Sequence, residues 1–225
     1  MNTSQMRALL ACGVALLLAA CGALSGNSKP GAGFLYQELL LDERFDSGGA
    51  WRSYAGGAEL WLGVAEGAYR IDLLGKRYAW TQHEQLTSDV VIEVAARQLS
   101  AYAHNAYGAA CRLDPANSGR GYYFLISGDG YASIRWSDGR ALTAIVPAFP
   151  SQHIQRGLAR NHIRVICSGD YLALWVNGEF LAEARDQRAS RGALGLAGVM
   201  NYAGQRLTVT FDDLRVWRAA LEHGG

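Results

Sequence analysis

The sequence predicts an all-β protein, a sandwich or jelly roll, on three observations. Apolar side chains alternate with polar ones at a period of two through most of the chain. The runs that do so are short, and Gly, Asp and Asn turns separate them. No stretch carries the periodicity of an amphipathic helix. Regular short strands joined by such turns pack as sheet on sheet.

The N-terminus stands apart from that pattern. One cation, Arg7, precedes an almost uninterrupted apolar run over residues 8–20. A bilayer core asks for about 20 apolar residues, so the run reads as a signal peptide and not as a permanent membrane helix. It ends in Leu18, Ala19, Ala20 and Cys21, which resemble the lipobox of bacterial lipoproteins. That resemblance implies cleavage before Cys21 and acylation of its thiol, with the protein anchored by lipid in the cell envelope, outside the cytoplasm. The alternative is ordinary signal cleavage that leaves Cys21 as a stray thiol. Residues 21–33 are mostly small and turn-forming and read as a tether. Twelve flexible residues span roughly 20 Å, enough to hold a domain clear of a lipid surface.

Residues 34–225 are long enough for one large β-sandwich. Half of the chain is apolar, so a sizeable core is within reach. Net charge is +1, and loss of Arg7 with the signal peptide leaves 20 cations against 20 carboxylates. The cations are scattered among acids with no basic stripe, which argues against nucleic acid. Cys111 and Cys167 remain beside the lipidated cysteine. Two thiols in an oxidising compartment suggest a disulfide, the alternative being two buried unpaired cysteines. There is no CxxC pair or Cys/His cluster of zinc-site spacing.

Strands follow in order at residues 90–99, 107–113, 122–127 and 131–136, the last two joined by Gly128-Asp129-Gly130. Ile163, Val165 and Cys167 alternate with polar residues, and Ser168-Gly169-Asp170 turns the chain into Leu172, Leu174 and Val176. Asn177-Gly178 tolerates the positive φ angles of a type I′ turn and predicts a hairpin with residues 180–184. Strands at 193–199 and 207–217 complete a count of about a dozen. Trp51 and Trp217 are assigned to the core.

A family resemblance rests on motifs in order along the chain. They include Arg44-Phe45-Asp46 before Trp51, Gly121-Tyr122-Tyr123-Phe124, Val176-Asn177-Gly178, Gly192-Ala193-Leu194-Gly195-Leu196 and Phe211-Asp212-Asp213-Leu214. Over residues 38–218 the chain resembles the concanavalin A-like lectin/glucanase jelly roll, two antiparallel sheets face to face. It is most similar to a bacterial domain labelled 3-keto-disaccharide hydrolase or family-16-like. The motifs are structural and imply fold more than chemistry. The resemblance also implies a structural calcium ion held by Asp212 and backbone oxygens of the first strand, with Asp46 or Asp42 as partner, the alternative being an Asp212 that only ends a strand turn; no cofactor is required.

Catalysis on this fold would place paired carboxylates on one strand as Glu-x-Asp-x-x-Glu, a string this chain lacks. Asp89 and Glu93 share a strand face but read as a solvated pair. His83, His104, His153 and His162 show no metal spacing, and no G-x-S-x-G elbow is present. What remains is an aromatic and polar set suited to sugar rings and hydroxyls: Tyr78, Trp80 and His83, with His104, Arg112, Tyr123 and Arg135. Core packing is the competing reading for each aromatic. The function expected is a glycan-binding lipoprotein without catalysis. The alternatives are a glycoside or keto-disaccharide hydrolase, and a structural or adhesion domain that recognises protein.

Overall fold

The computed structural model describes residues 34–47 and 49–221. The signal peptide, Cys21 and the tether lie outside the described residues. Fifteen strands are present among them, more than the dozen expected. They are β1 (Phe34–Glu43), β2 (Tyr54–Ala55), β3 (Leu60–Ala65), β4 (Ala68–Leu74), β5 (Arg77–Thr87), β6 (Val90–Gln98), β7 (Asn105–Leu113), β8 (Arg120–Ile126), β9 (Tyr131–Asp138), β10 (Leu142–Pro150), β11 (Arg160–Ser168), β12 (Tyr171–Val176), β13 (Glu179–Arg185), β14 (Gly192–Met200) and β15 (Arg206–Leu221).

They form two antiparallel sheets, as the sequence predicts. One has the order β13-β12-β11-β6-β15-β4-β3-β2, with β1 also paired to β15; the other has the order β10-β9-β8-β7-β14-β5. β15 is shared along its length. Its first part pairs with β4 and its last part with β1, while β6 runs along the opposite edge. The hairpin at Asn177-Gly178 is present, with φ of 54° and 88° at the two residues, the left-handed pair that a type I′ turn requires.

The core lies between the sheets and follows the pleat. On β8, Tyr122, Phe124 and Ile126 point inward with Ile134 and Trp136 of β9 and meet Val165, Leu174 and Val216 of the facing sheet. The alternate residues Tyr123 and Leu125 pack on the outer face with Ala110, Ala197 and Val199. Trp51 is in the core as expected, against Phe45 and Tyr69 at ring separations of 5.5 and 5.8 Å. A disulfide between Cys111 of β7 and Cys167 of β11 staples the sheets together, with Cα atoms 6.8 Å apart.

Trp217 departs from expectation. Asp213 adopts φ of 50° and the ladder to β6 shifts register there. That bulge resets the alternation, so Leu214 and Val216 are buried inward and Trp217 emerges on the outer face of the larger sheet, edge-on to Tyr36 at 5.1 Å.

Candidate functional site

The open face of the six-stranded sheet carries a groove of about 600 Å³, lined by residues from all six of its strands and from loops at both ends of them. A volume of this size falls within the range that holds a small ligand. Its floor is shallow because β7 and β14 present Ala106 and Val199 there. Tyr78, Tyr131 and Tyr202 form aromatic walls, and His104, Ser127, Asp129, Arg135 and Asn201 supply polar groups.

The polar end is built by one buried amide. Asn105 Nδ2 donates to Gln98 Oε1 at 3.0 Å and to the Tyr102 carbonyl at 2.7 Å, and its Oδ1 accepts from Gly128 N at 3.3 Å. Gln98 Nε2 in turn donates to the Ser100 and Tyr102 carbonyls. These bonds tie the β6–β7 loop to the β8–β9 turn. Gly128 leaves room for the Gln98 amide, since a Cβ there would stand 2.2 Å from Gln98 Oε1 and displace it. The outcome is that His104 Nδ1 comes within 2.6 Å of Asp129 Oδ2, while Ser127 Oγ donates to the other carboxylate oxygen. The imidazole is 63% exposed, so the dyad is held by its loops and open to a ligand. Tyr202 packs beside it, 6.1 Å from the His104 ring and 5.5 Å from Tyr102.

Of the ligand residues expected from sequence, Tyr78, His104 and Arg135 line this groove together. Trp80 stands behind it. Its ring stacks on Tyr78 at 5.4 Å, its Nε1 donates to Asn117 Oδ1 at 3.0 Å, and Gly119 fits against it where a Cβ would approach to 2.7 Å. Tyr123 is fully buried and donates to the Gly119 carbonyl at 2.7 Å; burial pushes its phenol well up. Both residues therefore support the groove from beneath the β7–β8 loop. His83 faces Trp51 at 5.4 Å in a separate cavity of about 400 Å³, where burial pulls its imidazole pKa down against the opposing charges of Glu43 and Glu84.

Arg112 is a correction. The sequence placed it on the open face, but its φ of 52° breaks the strand alternation and the side chain is buried at the end of the sandwich. Its guanidinium donates to the Ser88, Gly169 and Ala189 carbonyls at 3.1, 2.7 and 3.0 Å and lies 3.3 Å from Asp89 Oδ1. It is a structural clamp. Desolvation lowers its pKa, and the Asp89 charge opposes that shift.

The carboxylates considered from sequence are occupied elsewhere. Asp89 accepts from Gly169 N, and Glu93 accepts from Arg164 Nε and Tyr36 OH on the larger sheet. Asp129 is the single carboxylate lining the groove among the described residues. Asp212 sits at the β15 bulge and accepts from Asp213 N, while Asp42 pairs with Arg215 at 3.4 Å. Asp46 is exposed beyond the end of β1. No group of three or more His, Cys, Asp or Glu side chains converges among the described residues.

Sequence reasoning missed Asp129, Ser127, Tyr131, Tyr202 and Arg140. Asp129 was legible only as the apex of a glycine turn. Its meeting with His104 depends on two loops brought together by Asn105, which no local pattern encodes.

No protein-family model matches the chain, and no curated protein matches it in sequence. Solved structures share its fold. A carbohydrate-binding module from Bacillus subtilis superposes with a TM-score of 0.61 at 15% identity, covering 76% of this chain and 97% of the module. A β-glucanase from Bacillus licheniformis gives 0.59 at 12% identity over 79% and 97% of the two chains. The catalytic domain of an endo-1,3-β-glucanase from Thermotoga petrophila gives 0.57 at 11% identity over 84% and 100%. Likeness at these identities establishes the fold, and that fold is the concanavalin A-like jelly roll.

Proposed function

We propose that the domain binds glycan in the groove of its six-stranded sheet without cleaving it, and that Cys21 anchors it by lipid outside the cytoplasm. The observation that carries the reading is the groove itself. Tyr78, Tyr131 and Tyr202 offer ring faces for the apolar faces of sugars, and His104, Arg135 and Asn201 offer hydrogen bonds to hydroxyls beside them. Structures of the same fold include a carbohydrate-binding module and β-glucanases, which makes a sugar ligand the natural first test. The non-catalytic part rests on carboxylate chemistry. Glycoside hydrolysis commonly uses two carboxyl groups about 5 to 10 Å apart, and Asp129, already engaged by His104 and Ser127, has no second carboxylate beside it in the groove lining among the described residues.

The test is titration of the purified chain against an oligosaccharide panel by calorimetry, with product analysis of each mixture. Binding in the micromolar to millimolar range, about −4 to −8 kcal/mol, is expected from a shallow groove. Hydrolysis products would refute the non-catalytic part. For the anchor, metabolic labelling with a fatty-acid probe is expected to mark the wild type and not Cys21→Ser. Persistent labelling of the variant would remove that site.

A further inference from the structure

The chain is close to neutral, with a net charge of +1, but the groove is not. Lys76, Arg77, Arg135 and Arg140 line it, against the single carboxylate of Asp129. Asp129 is already in contact with His104, and Arg77 is held by Glu59 at 2.6 Å. Lys76, Arg135 and Arg140 have no ion-pair partner among the described residues. Arg135 makes one side-chain bond among the described residues, from Nε to Ser133 Oγ at 3.2 Å, which leaves its terminal nitrogens available. Arg140 is carried on the β9–β10 turn, where Asp138 Oδ1 accepts from the backbone N–H groups of Arg140 and Ala141 and fixes the turn. Lys76 and Arg135, together with Arg140, whose charge is offset only by the nearby Asp138 carboxylate without an ion-pair contact, therefore face one ligand-sized space that also has aromatic walls.

On the larger sheet and its edges several arginines are paired, Arg164 with Glu93, Arg160 with Asp213, Arg215 with Asp42, Arg218 with Glu38 and Arg185 with Asp170, whereas Arg97 on β6 is not, among the described residues. What sets the groove apart is that its lining gathers four cations around one ligand-sized space with a single carboxylate, already engaged by His104 and Ser127, and such a lining is matched to an anionic ligand. Guanidinium groups beside aromatic rings suit a planar carboxylate or a sulfate ester on a sugar ring, through charge-assisted hydrogen bonds stronger than those to hydroxyls.

We infer that the ligand is an acidic glycan, one bearing uronate or sulfate groups, selected by Lys76, Arg135 and Arg140. The inference rests on the glycan-binding reading above. The cations set which sugar is taken, and the tyrosines set that a sugar is taken at all.

The experiment uses matched pairs in which only the charge differs: oligogalacturonate against its methyl ester, and a sulfated galactan oligosaccharide against its desulfated form. A single-stranded oligonucleotide of similar charge serves as a non-carbohydrate polyanion. Calorimetry with the full chain should show at least one acidic member binding about tenfold or more tighter than its neutral partner, with the preference shrinking as salt rises. The pair that responds identifies uronate or sulfate as the charged group. In Arg135→Gln and Arg140→Gln the ratio between acidic and neutral members should fall toward one. Equal binding of acidic and neutral members overturns the inference and leaves the glycan reading standing. Binding of neither overturns both. An oligonucleotide that binds as tightly as the acidic sugars overturns the carbohydrate selectivity. Circular dichroism of each variant separates lost selectivity from lost fold, and a folded variant with its selectivity intact counts against the residue it replaces.

Discussion

His104 Nδ1 and Asp129 Oδ2 stand 2.6 Å apart on two different loops, the end of the β6–β7 loop and the tight β8–β9 turn. Asn105 ties the two together, 5% exposed and bonded to Gln98, Tyr102 and Gly128. Asn105→Ala should therefore cost about 1–3 kcal/mol, the penalty for leaving buried partners unsatisfied, and should also loosen the groove's polar end. Urea denaturation measures the first effect. The second is read in the His104 ring resonances, which should broaden or shift more than those of the distant His162. An unchanged His104 environment would show that the dyad is self-supporting.

The Cys111–Cys167 link closes a separation of 56 residues and joins the two sheets through the core. Chain entropy for a loop of that size gives about 4 kcal/mol of stabilisation, less any native strain. The double variant Cys111→Ala/Cys167→Ala should lose up to that amount in denaturant titration, and reductant should lower the wild type's midpoint but not the variant's. Equal midpoints for the two proteins without reductant would show that the link adds nothing.

Much of this architecture was legible. The strands from β6 to β9 and from β11 to β15 lie within a few residues of the segments read from alternation, because both faces of each strand follow the pleat. The Asn177-Gly178 turn and the cysteine pair were legible for similarly local reasons. The failures at Arg112 and Trp217 share one cause, a non-glycine residue with positive φ that resets the alternation: Arg112 itself, and Asp213 ahead of Trp217. Period-two reasoning has no means to see a bulge in advance. The groove was less legible than the fold. Tyr78, His104 and Arg135 were found by residue type, whereas the gathering of Lys76, Arg135 and Arg140 was hidden by a balanced composition in which cations are scattered along the chain.

Asp186 gives the protein a defined acid sensitivity. Arg188 grips its carboxylate through Nε and Nη2, and Tyr122 OH donates to it at 2.7 Å from the core. The Arg188 bonds are the main reason its pKa falls from 3.8 to about 2, with burial opposing them. Because the folded pKa is depressed, the stabilisation is fully present above the unfolded value near 4 and is lost as pH falls through about 2. A shift of this size corresponds to roughly 2 kcal/mol. Asp186→Asn should remove that contribution at neutral pH and flatten the stability profile between pH 4 and 2. Parallel profiles for wild type and variant across that window would refute the assignment.

The stacked pair Tyr78 and Trp80 should divide along the line between ligand and scaffold. Trp80 is clamped by Tyr78, by Asn117 through its indole N–H, and by the close approach of Gly119, and it does not line the groove. Tyr78 does line it, with its hydroxyl directed to the Gly139 carbonyl at 3.3 Å. Truncation of a well-packed aromatic costs about 3–5 kcal/mol in a full core. Trp80 is half-buried, so Trp80→Ala should fall at or below the low end of that range, and whatever sugar affinity it loses should follow from the loosened loop. Tyr78→Ala removes a wall of the groove and should weaken sugar binding about tenfold, near 1.4 kcal/mol, with a smaller loss of stability than Trp80→Ala. Trp80→Phe refines the comparison. It keeps an aromatic ring against Gly119 but removes the bond to Asn117, worth about 0.5–1.5 kcal/mol, and should bind sugar nearly as the wild type does. Denaturant titration and calorimetry on the three variants give both axes. Trp80→Ala that keeps full stability yet loses all binding would put the indole itself against the ligand.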